Sequence, residues 1–279
     1  MDPIKSPRIE AALLRALSTG ETFELFDLLE RASGLPGPRP NYDLAQSVAV
    51  VIASRGKQGT PLVEALLAAM ERDYLLVVAT IAQAERAACG VDARRAMQTL
   101  HDLAGDERHA VRQSVIEALR IVVRAKGVDA VAQLASFTDG YLHAHVALEA
   151  LADRTLLATL PAGDAVLARL DEAFQLADVS PRAAERSQGL RTLRRGFPVQ
   201  IARFAVRFPE VLAWFTERTQ AKRPETREVV HETILALKKN HLAVAEVDRL
   251  MAAFAASAPA PRDPTRIVQG TRNRSRGRR

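Results

Sequence analysis

From about residue 6 to residue 254, apolar residues return at steps of three and four, and strict alternation is almost absent. That period belongs to helices with one buried face, so strands have little place in the chain. The signal is clearest between Asp106 and Ala125, where Val111, Val115, Ala118, Leu119 and Val122 share one face. Asp106 is expected to cap this helix, and Gly127 to end it in the left-handed cap conformation. Hydrophobic residues make up 48% of the 279 positions but aromatics only 5%. A core of Ala, Leu and Val suits helices packed closely on helices, whereas a β-sandwich wants more rings and β-branched residues.

The same period places helices near 6–18, 21–33, 42–54, 61–71, 74–88, 92–104, 128–137, 140–152, 162–176, 181–195, 198–206, 208–219, 225–239 and 243–255. Pro61, Pro181 and Pro224 stand where a helix begins and the missing amide costs nothing. Leu35-Pro36-Gly37-Pro38-Arg39-Pro40 reads as a stiff, extended connector between a first helix pair (1–34) and the rest, the connector running over 35–41. Residues 1–257 are expected to form one helical domain and 258–279 a disordered, arginine-rich tail. The apolar stretches are too short to span a bilayer, and the N-terminus lacks a secretory pattern, so a soluble cytoplasmic protein is expected. The single cysteine, Cys89, follows Ala87-Ala88 and reads as a buried, inert thiol.

Internal similarity points to a repeat. Ala118-Leu119, Ala150-Leu151, Thr192-Leu193 and Ala236-Leu237 each end an apolar stripe, at spacings close to one helix–turn–helix unit. The stretch from Asp106 through Val111-Arg112, Val115 and Ala118-Leu119 resembles the first helix of a HEAT repeat. Pro224–Leu237 is a looser copy with Val229-Val230 in place of Val-Arg, and Ser180–Leu193 is looser still, with Gly189 mid-stripe. The resemblance implies an all-α superhelix, a HEAT/ARM-like solenoid of antiparallel helix pairs. Arg207-Phe208-Pro209-Glu210-Val211, the following Arg227–Leu237 helix and Lys238-Lys239-Asn240-His241 are similar to the bacterial DNA-alkylation-repeat glycosylases. That family holds duplex DNA in a basic concave face and removes alkylated purines. With one tryptophan in this chain, no catalytic residue carries over.

Chemistry-bearing motifs are sparse. The sequence has no phosphate loop, no nucleophile elbow and no cysteine pair, and no cofactor or metal is expected. His143 and His145, two residues apart on a helix, point to opposite sides and cannot share an ion. Asp102, Asp106 and Glu107 are explained by capping and helix-dipole effects. Residues 259–279 hold seven arginines against one acid, which equals the whole net charge of +6, so the body is formally neutral. Arg186, Arg191, Arg194, Arg195, Arg203 and Arg207 border a run of aromatics, and with Arg272, Arg274, Arg276, Arg278 and Arg279 they form the candidate nucleic-acid contacts.

The expectation is a non-catalytic HEAT-repeat scaffold that mediates protein–protein contacts. The alternative is a HEAT-like protein that binds nucleic acid through its arginine-rich segment and tail. An enzyme whose site only the fold assembles is a third reading.

Overall fold

Local chemistry decides where the helices begin. In the computed structural model, which describes residues 4, 6–240 and 242–258, the side chains of Asn41, Asp153 and Ser187 accept hydrogen bonds from the amides of Leu44, Leu156 and Leu190. Each fills an orphan donor of a first helical turn. The described residues form fifteen α-helices: α1 (Pro7–Thr19), α2 (Phe23–Arg31), α3 (Tyr42–Ser54), α4 (Thr60–Ala68), α5 (Asp73–Ala88), α6 (Ala93–Ala104), α7 (His109–Lys126), α8 (Val128–Gln133), α9 (Tyr141–Leu151), α10 (Arg154–Thr159), α11 (Asp164–Asp178), α12 (Gln188–Arg207), α13 (Pro209–Arg218), α14 (Pro224–Lys239) and α15 (Val244–Ala256). Short 3-10 turns cover Gly56–Gly59, Leu134–Asp139 and Arg182–Arg186, and no strand occurs among the described residues.

The helices pack in sequence order. α3 lies on α5, α5 on α7, α7 on α9, α9 on α12 and α12 on α14. α4 and α6 pack behind α5, while α11 packs behind α9 and α12. α5 is covered on all sides, with every residue from Tyr74 to Ala84 buried. One continuous apolar core runs from Ile4 to Leu250.

Several local expectations change. Asp106 is not the cap of α7, which starts at His109. Its carboxylate accepts from the Arg108 amide at 2.8 Å and from the Arg108 guanidinium at 2.7 and 2.9 Å, closing the turn that precedes the helix. Gly127 ends α7 with φ of 60° but ψ of −137°, outside the left-handed helical basin. The 35–41 connector is not extended. Asn41 donates from its amide to Ser33 O at 2.8 Å and from its side chain to Ala32 O at 3.1 Å, so the loop closes on its own base. Residues 154–159 form α10, a helix too short for its period to show.

The largest departure concerns 181–195 and 198–206: Arg182–Arg186 is a separate 3-10 turn, and Gln188–Arg207 is one 20-residue helix that runs through the expected break with Pro198 inside it. A proline in the interior of a helix costs about 3 kcal/mol. Here α12 is flanked by α9 and α14, and Leu190, Leu193, Phe197, Ile201 and Phe204 are all essentially inaccessible, so packing outweighs that cost. Two glycines set the α12–α9 approach. A Cβ on Gly189 would sit 3.3 Å from Tyr141 Cβ, and one on Gly196 would sit 2.8 Å from His145 Nδ1.

Arg86 shows how the layers are tied. Its side chain is 3% exposed and donates to Gly56 O at 2.9 Å, Thr60 Oγ1 at 2.8 Å and Asp92 Oδ2 at 2.9 Å. One guanidinium thereby joins α5 to both ends of the 3-10 turn and to the start of α6. Replacing Arg86 by Ala is expected to leave these acceptors unpaired and to lower stability by about 2–4 kcal/mol. A urea titration followed by circular dichroism measures it; a midpoint equal to the wild type's refutes the tie.

Candidate functional site

Where α3, α5 and α7 run side by side, the row leaves a groove of about 710 Å³. Tyr42, Asp43 and Gln46 come from α3, Ile81, Glu85 and Ala88 from α5, and Glu117, Arg120, Ile121 and Arg124 from α7. The helical spacing 42/46, 81/85/88 and 117/120/121/124 puts each set on one face. The charged groups hold one another in place. Gln46 donates to Glu85, Arg120 pairs with Glu117 at 2.7 Å, and Arg120 also reaches Glu149 O at 3.3 Å. The polar row continues onto α12, where Gln200 donates to Glu149 at 3.0 Å. Burial, followed by the charge of Glu117, pushes the Tyr42 hydroxyl up to about 12, and its oxygen has no hydrogen-bond partner. The groove therefore offers carboxylates, guanidinia, a buried phenol and an apolar floor together.

Another cleft, of about 490 Å³, lies between α11 and the α13–α14 turn. Most of its charges are used internally. Asp171 accepts from Trp214 Nε1 at 2.7 Å and Arg218 at 2.6 Å, Asp178 accepts from Thr226, and Arg223 is bound to Glu185.

The arginine-rich stretch divides into two kinds. Arg194 is buried against α11, pairing with Glu185 at 2.5 Å and donating to Ala177 O and Ser180 Oγ at 3.0 Å. That contact is the first cause holding the Glu185 carboxyl below the usual range. Arg203 turns to Ala152 O and Glu149, and Arg207 donates to Leu160 O at 2.9 Å and Leu157 O at 3.3 Å. Arg186, Arg191 and Arg195 are exposed and make no ion pair among the described residues. Three of the six candidates thus have partners within the body and three do not among the described residues. Arg272, Arg274, Arg276, Arg278 and Arg279 lie outside the described residues, as does His241.

Charge is segregated along the body that sums to zero. Residues 1–178 hold 18 Lys and Arg against 24 Asp and Glu, whereas 179–258 hold 14 against 8.

Cys89 is exposed, not buried as the sequence suggested, because α5 ends at Ala88 and the cysteine sits past the last covered turn. His143 and His145 diverge. His143 stacks on His101 with ring centroids 4.4 Å apart, in a niche walled by Gly105 and Gly140. His101 Nε2 lies 3.1 Å from both oxygens of Asp139. His145 faces Gly196 and Gln200 instead. No motif in the sequence marks the groove residues, although Glu85 is the one acid that closes the apolar run of α5.

Burial is the main cause that lowers the affinity of His143 and His145 for a proton, and the neighbouring His101 lowers that of His143 further. A histidine whose folded value is depressed is neutral in the native state, while the unfolded chain takes up a proton near pH 6.5. Stability is therefore full above that pH and falls as pH drops below it. His143→Gln is expected to flatten the dependence of the urea midpoint between pH 7.5 and 5.5; an unchanged slope rules out this source.

No protein-family model, no curated protein and no solved structure matches this chain.

Proposed function

We propose that the chain is a non-catalytic scaffold of HEAT-like helix pairs stacked as an α-α solenoid, and that a protein partner docks in the α3–α5–α7 groove. The observation that carries this reading is the groove's composition. Carboxylates and guanidinia alternate over the apolar floor of Ile81, Ala88 and Ile121, a mixture suited to a polypeptide with both charged and apolar side chains. The solenoid is supported by helices that pack on their neighbours in chain order, α3 through α14.

A second reading, nucleic-acid binding, is favoured by the unpaired Arg186, Arg191 and Arg195 in the basic third of the body. Contacts of this kind act on phosphates and weaken steeply with salt.

Scattering tests the architecture. A compact globule of this length has a radius of gyration of about 19 Å, and the chain lacking 259–279 is expected well above that value. Affinity capture tests the groove. Partners retained by the wild type are expected to fall at least tenfold with Glu85→Arg/Glu117→Arg and to persist with Arg191→Glu/Arg195→Glu. An identical partner set for the groove variant defeats the scaffold reading. Titration of duplex DNA and RNA against salt tests the second reading, which fails if Arg191→Glu/Arg195→Glu binds as the wild type does.

A further inference from the structure

α12 carries an open stripe that its packing does not use. Arg191, Arg195, Val199 and Val206 are all exposed and fall at i, i+4, i+8 and i+15, one face about 22 Å long. Val199 and Val206 are 46% and 62% exposed, and the two guanidinia have no partner among the described residues. The stripe is cationic at one end and apolar at the other.

Its complement stands at the opposite end of the chain. Phe23, the first residue of α2, is 84% exposed, the most open of the large apolar side chains. Leu14 on α1 is 42% exposed. Glu10, one turn before Leu14, and Glu21, two residues before Phe23, carry carboxylates without a partner among the described residues. Arg8 and Arg15 are both paired with Glu24 and Arg31 with Asp27, so the unpartnered charge of α1 and α2 is acidic, where that of the α12 stripe is basic. The charge segregation has the same sense, acidic over 1–178 and basic over 179–258.

We propose that a second copy of this chain seats its α1–α2 corner on the α12 stripe, in a head-to-tail contact. Phe23 covers Val199 and Val206, and Glu10 and Glu21 meet Arg191 and Arg195. A symmetric α12–α12 contact would set guanidinium against guanidinium, so the complementary contact is heterologous. Each copy then keeps one free corner and one free stripe, and association propagates as a ring or an open chain. A phosphate backbone uses the arginines but gains nothing from the two valines, which favours a protein surface as occupant. Partly exposed charge pairs of this kind weaken with ionic strength. The inference is separate from the groove: Glu85→Arg/Glu117→Arg should associate as the wild type does.

Sedimentation velocity of the full chain over a concentration series, at about 50 mM and about 500 mM salt, provides the test. The wild type is expected to grow in mass with concentration at low salt and to revert at high salt. Arg191→Glu/Arg195→Glu and Glu10→Arg/Glu21→Arg should each remain monomeric, since corner and stripe then repel. An equal mixture of these two variants should associate again, because both kinds of contact are restored between unlike copies. Phe23→Ser should weaken association at least tenfold while leaving the circular dichroism spectrum unchanged. The proposal is overturned by a wild type that stays monomeric at low salt, by variants that associate unchanged, or by a mixture that fails to associate. It is equally overturned if removal of 259–279 alone abolishes association. Duplex DNA binding that Arg191→Glu/Arg195→Glu removes, with a monomeric wild type, would assign the stripe to nucleic acid instead.

Discussion

Guanidinium groups bonded to the carbonyls of helix ends tie neighbouring helices of this molecule to one another. The last turn of every α-helix leaves carbonyl oxygens without an intrahelical donor. Here arginines on neighbouring helices supply many of them. Arg169 reaches Ala132 O at the end of α8, Arg120 and Arg203 reach Glu149 O and Ala152 O at the end of α9, and Arg207 serves α10. Arg194 and Arg223 both serve the end of α11, and Arg227 reaches Phe254 O at 3.1 Å in α15. The planar fork suits this task because one group satisfies several acceptors in fixed directions. A helix that finds donors on its neighbour is fixed in angle as well as in contact.

This use of arginine explains why the basic stretch was hard to interpret from sequence. Arg194 and Arg195 are adjacent letters of the same type, yet one is bonded to Glu185 and α11 while the other is exposed. Helical geometry separates them by about 100°, but only the packed neighbours decide which side is covered. Helix existence, by contrast, was legible almost throughout, because the apolar period survives averaging over a dozen residues. It failed where a single residue type argued against a whole environment. The sequence bounds leave a break between 195 and 198, and the burial of Phe197, Ile201 and Phe204 keeps α12 continuous through Pro198.

The groove was illegible for a related reason. Gln46, Glu85 and Glu117 are unremarkable polar residues on three separate helices, and nothing in their spacing says that α3, α5 and α7 lie side by side. The loop at 35–41 was misread because proline content predicts local stiffness and not the direction in which Asn41 turns back to Ser33. Gly189 is visible as an interruption of a stripe, and Gly196 follows seven residues later. Their meaning, a close approach of α12 to α9, appears only when the side chains of Tyr141 and His145 are in place.

The arginine clips are short in contour: Arg120, Arg194, Arg203, Arg207 and Arg227 reach carbonyls no more than 51 residues away. Among the described residues no such bond joins the two ends of the body, so it can open piecewise. Fraying of α15 breaks the bonds of Arg227 and leaves those of Arg169 intact. Amide protection then grades inward from the termini toward α5, whose backbone is covered on every side.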